Sequence, residues 1–212
     1  RRIQNPVLET ECEFDSRSRH QDMNMNMNMN MNMKYCPECG AMTSIKIPSG
    51  DNRERVVCSE CELIHYQNPK IVVGCVPVIG DEILLCKRAI EPRYGFWTVP
   101  AGFMELGETL IQGAVRETYE EACAKVNIGH LFAIVDVISA GQVHAFYTAD
   151  LISDFAPGQE SLDVKLFNKN DMPWDQMAFE SGVFALRKLL DDDGKNNGIH
   201  YHKIDRRKQP SS

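Results

Sequence analysis

Three glutamates and an arginine stand within RETYEEACA, residues 116–124. A helix turns about 100° per residue, which places Glu120 about −60° and Glu121 about +40° from Glu117, all on one face. Carboxylates crowded in this way repel one another and call for a positive partner. Hard oxygen donors suit Mg²⁺, which takes one or two carboxylates and completes its shell with water and phosphate oxygens. Arg116, one turn before Glu120, stands where a guanidinium can orient a carboxylate. A run of charge alone is usually a solvated helix face. Here it is framed by Gly102 and Glu108 in VPAGFMELGETLIQGAVRETYEEACA.

A second constellation is C-x₂-C-x₁₈-C-x₂-C, formed by Cys36, Cys39, Cys58 and Cys61. Four thiolates at this spacing can close a tetrahedron around Zn²⁺, each C-x-x-C pair giving two ligands. The polar stretch between the pairs is too short to fold alone, so the metal would supply its stability. Its charge is mixed and lacks an aromatic-basic stripe, which favours a brace over a nucleic-acid grip. Cys12, Cys75, Cys86 and Cys123 are scattered and read as small buried hydrophobes rather than a disulfide framework.

These residues need elements to hold them. Strands are expected at 71–79, 83–87, 97–99, 131–138, 143–151 and 164–167, with turns at GD (80–81) and AG (140–141). Helices are expected at 108–123 and 175–191. In the first, Ile111, Val115, Thr118, Tyr119 and Ala122 form a flank that should face the core, opposite the acids. Gly113 and Ala114 should leave room beside the acidic face for a pyrophosphate. Strands interrupted by one helix and closed by another imply an α/β fold, a mixed sheet between helices.

The chain divides into a low-complexity segment 1–33 ending in MNMNMNMNMNM, a cysteine module 34–69, a globular domain 70–193 and a polar tail 194–212. The Met-Asn alternation is expected to be a linker. Lys and Arg number 23 against 30 Asp and Glu, so a net charge of −7 gives no basic footprint for nucleic acid. No apolar run reaches the ~18 residues needed to span a bilayer. Residue 1 is Arg, and the native N-terminus, with any targeting peptide, is expected to be missing.

The framed glutamates resemble the Nudix box, a loop–helix–loop motif of enzymes that cleave nucleoside diphosphates linked to another moiety. The family pattern has an aliphatic residue where Thr118 stands, glycine at Cys123 and an aliphatic at Ala124. The resemblance implies a Nudix α/β/α sandwich preceded by a small zinc ribbon, using Mg²⁺ or Mn²⁺ for catalysis and structural Zn²⁺. It implies that Glu117, Glu120 and Glu121 hold the catalytic metal with the Ala101 carbonyl, and that Glu108 supports them. Either Glu117 or Glu160, in APGQESLDV, would serve as general base; Glu160 as a further metal ligand is the other reading.

Among ribbon-bearing relatives, NADH pyrophosphatases carry SQPWPFPxS after the box, and residues 127–151 lack it. YCPECG, YQNPKIVVGCVP, GFWTVPAGFMELGET, APGQESLDVKLF and HYHKIDRRKQP are similar to the plastid FAD pyrophosphatases of plants, over about residues 34 to 212. That resemblance implies cleavage of FAD to FMN and AMP, with ADP-ribose-like molecules as secondary substrates, and a plastid address. The competing readings are NADH or ADP-ribose cleavage, RNA-cap removal, and a catalytically idle ribbon protein. A homodimer is one assembly the resemblance allows. Trp97, Phe96 and Tyr94 could stack on an adenine or flavin ring or serve as core, and Arg88 could meet phosphate or be a surface charge.

Overall fold

The computed structural model describes residues 33–206, so the Met-Asn repeat, apart from Met33, and Cys12 lie outside the described residues. The cysteine module is a small antiparallel sheet of β1 (Thr43–Lys46), β2 (Arg55–Cys58) and β3 (Ile64–His65). A separate eight-stranded sheet follows, made of β4 (Lys70–Ile79), β5 (Glu82–Arg88), β6 (Trp97–Thr98), β7 (Ala101–Phe103), β8 (Val126–Val137), β9 (Gln142–Leu151), β10 (Ser161–Asn168) and β11 (His200–Ile204). Its main order is β10-β5-β4-β9-β8-β11, with β6 paired to β5 and β7 to β4. The β4–β9 and β8–β11 pairs are parallel and the others antiparallel, so the sheet is mixed, as expected.

Helix α1 (Leu110–Ala122) packs on one face of this sheet and α2 (Glu180–Asp192) on the other. The larger core lies under α2, where Ile83, Leu85, Phe132, Phe146 and Leu186 are fully buried or nearly so. Burying side chains of this size contributes about 1.5–3 kcal/mol each. On the α1 face, Ala114 and Cys75 pack beside Tyr147 and Ala149. Beside β4 the sheet forks: β5 joins its C-terminal end and β7 its N-terminal half, so residues 97–103 run between the two.

Several elements differ from expectation. β8 begins at Val126, five residues earlier than expected; register shifts between Ile128 and Ala133 interrupt the alternation by which a strand is read from sequence. α2 begins at Glu180, since Ala178 N–H bonds to the Trp97 carbonyl (2.8 Å) and Met177 bridges to Trp97, holding that stretch extended. The polar tail is corrected at 200–204, which forms β11. Backbone pairing with β8, buried Ile204 and a set of polar anchors hold this strand to the body. Asp192, at the end of α2, accepts from His200 Nε2 (2.8 Å) and Asn197 (2.7 Å), and Tyr201 donates to Asp136 (2.5 Å). Asp192→Ala should therefore cost about 1–3 kcal/mol in urea unfolding and speed hydrogen exchange of the 200–204 amides. Unchanged exchange would mean that pairing with β8 alone retains the strand.

Candidate active site

Thr109 caps α1: its hydroxyl accepts from Gln112 N–H (3.2 Å), and the Gln112 side chain accepts from Thr109 N–H (2.8 Å). T-x-x-Q is a capping box legible in the sequence, and it sets the helix start at Leu110, two residues after the expected 108. The helix is rotated from expectation: Thr118 and Ala122 face the core as expected, but the rest of the expected flank does not. Its buried residues are Gly113, Ala114, Glu117, Thr118, Glu121 and Ala122, while Ile111, Val115 and Tyr119 are exposed. Small inward residues allow close approach to β4. A Cβ on Gly113 would lie 2.7 Å from both Glu108 Oε1 and Val73 Cγ2, so Gly113 and Ala114 leave no room for a pyrophosphate. Thr118 is buried yet satisfied, donating to the Ala114 carbonyl (2.8 Å) and lying 3.0 Å from Cys75 Sγ. Cys123 closes the helix at φ +47°, the left-handed conformation for which the family's glycine is suited.

Two of the glutamates are thus inside the protein: Glu117 is 8% and Glu121 7% exposed. Glu117 lies against the backbone of β7, where a Cβ on Gly102 would fall 2.3–2.4 Å from its carboxylate atoms. Only glycine permits that approach. Glu121 accepts from Ala101 N–H at 3.4 Å. Arg116 binds Glu108 through two donors (3.0 and 2.8 Å), Glu117 (2.8 Å), Glu120 (2.9 Å) and the Phe103 carbonyl (3.0 Å). Glu108 also accepts from Glu105 N–H (2.7 Å), so it anchors the arginine from the start of the helix.

The electrostatics follow from this burial. Desolvation pushes the Glu117 carboxyl up to about 7, against the pull of Arg116. Desolvation also raises Glu120, and raises Glu121 well above the carboxylate range with repulsion from Glu117 added. Glu108 is lowered by its hydrogen bonds from Arg116 despite partial burial. The charge of Glu160 acts on Glu117, Glu120 and Glu121, which brings this residue of the β9–β10 loop into the same electrostatic field.

Arg88, at the end of β5, stacks on Phe179 (5.0 Å) and donates to the Pro92 carbonyl (2.9 Å); Glu121 and Glu160 both act on its charge. It is thus a half-buried cation facing the acids. Trp97 is corrected: it is 6% exposed and packs edge-on to Phe167 at 4.8 Å, so its ring is core and is not free to stack on a substrate. Tyr94 is 55% exposed in the β5–β6 loop. The sequence reading missed Phe103, whose carbonyl helps seat Arg116, because a backbone acceptor leaves no side-chain signature.

Of the two buried carboxylates, Glu117 is paired with Arg116 while Glu121, among the described residues, accepts only from the Ala101 N–H, so the pair has room for more positive charge, which fits a divalent cation. Among the described residues, Cys36, Cys39, Cys58 and Cys61 are the one group of three or more His, Cys, Asp or Glu side chains whose ligand atoms all lie within 4.8 Å of one another, so the glutamates form no closed cage. An open set suits a cation that takes few protein ligands and completes its shell with water and phosphate. The four sulfurs lie 3.4–3.8 Å apart where paired, close to the ~3.8 Å edge of a tetrahedron with 2.3 Å Zn–S bonds. N–H groups of Cys61 and Glu60 point at Cys58 Sγ and lower its thiol to about 6, favouring the ligating thiolate.

Fold and site together define an α/β/α sandwich with an acidic box helix, carried behind a four-cysteine ribbon. Residues 68–188 match the NUDIX domain model, and residues 34–67 match the ribbon model described as Nudix N-terminal. This chain belongs to the NUDIX family. A NUDIX hydrolase from Nitrosomonas europaea is 45% identical, with a TM-score of 0.78 over 81% of this chain and 99% of that one. The NAD-capped RNA hydrolase NudC of Shigella flexneri is 36% identical over 75% of this chain and 59% of its own length. That of Vibrio vulnificus is 30% identical over 66% of this chain and 52% of its own. The chain thus spans between half and three-fifths of the length of these two relatives.

The raised Glu117 has a consequence for stability. A folded-state value of about 7 exceeds the ~4.3 of an unfolded glutamate. Between those values the folded chain holds a proton that the unfolded chain has released, so rising pH destabilises the fold and the effect levels off above the folded value. Without added divalent cation, Glu117→Gln should therefore melt progressively higher than the parent as pH rises from about 4.5 to about 7. A difference in Tm that stays constant across that window would contradict the burial argument.

Proposed function

We propose that this protein is a divalent-cation-dependent pyrophosphatase acting on a dinucleotide joined through a diphosphate, with FAD cleaved to FMN and AMP as the leading substrate. What carries the class is the buried Glu117–Glu121 pair with Glu120 in a NUDIX chain: Arg116 holds Glu117 and Glu120, Glu117 lies against the Gly102 backbone, and Glu121 accepts from Ala101 N–H. A non-catalytic ribbon protein would have no physical need to bury mutually repelling acids.

Glu117, Glu120 and Glu121 would hold Mg²⁺ or Mn²⁺, with the Ala101 carbonyl as a further ligand. When bound, the cation supplies charge neutralisation on the diphosphate and makes water more acidic. The chain's own residues do the rest. Arg116, fixed by Glu108 and the Phe103 carbonyl, sets the direction of the Glu117 and Glu120 carboxylates. The water oxygen forms a bond to one phosphorus as the bridging P–O bond breaks, and the water proton passes to Glu117 or Glu160. Arg88 offers positive charge to a phosphate beside Glu121 and Glu160, and exposed Tyr94 offers a ring face to a base or flavin.

Residues 127–151 support FAD over a nicotinamide dinucleotide: they are taken up by β8, β9 and their connecting turn, without SQPWPFPxS. The second reading, cleavage of NAD(H) or of an NAD cap on RNA, is favoured by the activity for which the NudC relatives are named. Net charge −7 weighs against the RNA form. The test is turnover of FAD, NADH, ADP-ribose, NAD-capped RNA and 8-oxo-dGTP with Mg²⁺, products resolved by chromatography. FAD should show the highest kcat/KM; a far higher value for NADH or capped RNA would make the second reading correct. Glu120→Gln should lose about 100-fold or more in kcat while melting as the parent does. Near-parental turnover would remove Glu120 from the site.

A further inference from the structure

The loop between β9 and β10 reaches the acidic site by docking on the end of α1. The last carbonyls of a helix have no partner within it. Here Ala156 N–H bonds to the Ala122 carbonyl (2.9 Å) and Gly158 N–H to the Glu121 carbonyl (3.0 Å). A Cβ at Gly158 would lie 1.7 Å from the Glu120 carbonyl oxygen, 2.8 Å from its carbon and 3.2 Å from the carbonyl carbon of Glu121. These are backbone atoms of the turn that carries two of the acids, so no side-chain rotation can relieve the overlap. Two residues on, the Glu160 carbonyl accepts from Ala89 N–H (2.8 Å), just past β5. Ser161 N–H closes a turn onto the Gly158 carbonyl (3.1 Å) and Ser161 stands in register with Arg88. Glu160 is therefore held between the C-terminus of α1 and the end of β5, where its charge reaches all three helix glutamates.

We propose that Gly158 is a positioning residue for hydrolysis: the missing side chain lets the loop seat on α1 and thereby fixes the distance from the Glu160 carboxylate to the reacting water. This rests on the pyrophosphatase reading above, with Glu160 acting at that water. The required feature is space, because the overlap is with backbone rather than with a flexible chain end. The arrangement ties Glu160 to the same turn that bears Glu120 and Glu121, so the loop and helix carboxylates keep one spacing.

A double-mutant cycle tests this with the intact protein, Mg²⁺ and FAD, or whichever dinucleotide the panel shows is turned over. Glu160→Gln should lower kcat about 100-fold or more. Gly158→Ala should lower kcat about 10- to 100-fold with KM nearly unchanged, as expected for a displacement of about 1 Å. The double variant should be no slower than Glu160→Gln alone, because the glycine then has no base to position. A general structural role would instead multiply the two losses, and that result overturns the proposal, as does parental kcat in Gly158→Ala. Inserting one glycine between Gln159 and Glu160 keeps the Ala156 and Gly158 bonds to α1 but opens the turn that Ser161 N–H closes and shifts Glu160; it should reproduce the Glu160→Gln loss even if Gly158→Ala does not fold, and retained turnover would refute the idea. Parental turnover in Glu160→Gln would remove this proposal while leaving the pyrophosphatase intact. Failure of the unmodified protein to cleave any dinucleotide would sink the functional reading, and this proposal with it.

Discussion

Two carboxylates buried on the inner face of α1, with one guanidinium shared among three acids, govern the design of this domain. Placing Glu117 and Glu121 away from water disfavours their charged forms, and the domain is shaped to hold them there nonetheless. Gly102 gives up its side chain so that Glu117 can lie on the β7 backbone. Gly113, Ala114 and Ala122 let the helix settle close to β4. Glu108 and the Phe103 carbonyl saturate the guanidinium donors that the acids leave over, which fixes its plane. Each of these features is needed only because the acids face inward.

The same constraint explains where sequence reasoning succeeded and where it failed. Residue spacing gave the acid cluster, the four cysteines and most strands, because these are local patterns. The orientation of α1 was misread because apolar residues were assumed to face inward. Here the inward face carries the chemistry, and Ile111, Val115 and Tyr119 are turned outward. For Trp97 the sequence leaves ring stacking and core packing both open, because the edge-on contact with Phe167 that makes it core depends on β10, distant in sequence. β11 was hidden for a related reason. HYHKI carries too little apolar signal to read as a strand, and its register is fixed by side chains such as His200 and Tyr201 bonding to Asp192 and Asp136.

The fork between β4 and β5 is the architectural counterpart of this chemistry. A sheet with β5 paired along all of β4 would have no place for residues 97–103 to run. By ending that pairing after Val78 and Ile79, the fold leaves β4 free to pair with β7 at Val72–Gly74. Ala101 N–H and the Gly102 backbone then face α1, where Glu121 and Glu117 meet them. The loop carrying Glu160 closes the arrangement from the helix's far end, so the acids are framed by backbone at both ends of α1.

Two kinds of donor keep the metal chemistries separate. The ribbon offers four sulfurs at tetrahedral spacing, with backbone N–H groups already aimed at Cys58. Thiolates select soft or borderline ions, and a closed four-sulfur set has no position for substrate. The α1 site offers only oxygens, in no closed cage and backed by Arg116, which suits an ion that keeps several waters and binds phosphate. An ion suited to one site is thus poorly matched to the other in both ligand softness and coordination geometry. Under the proposed function, that mismatch would let one module serve as a folding element and the other as a reaction centre within a single chain, without either depending on a barrier between them.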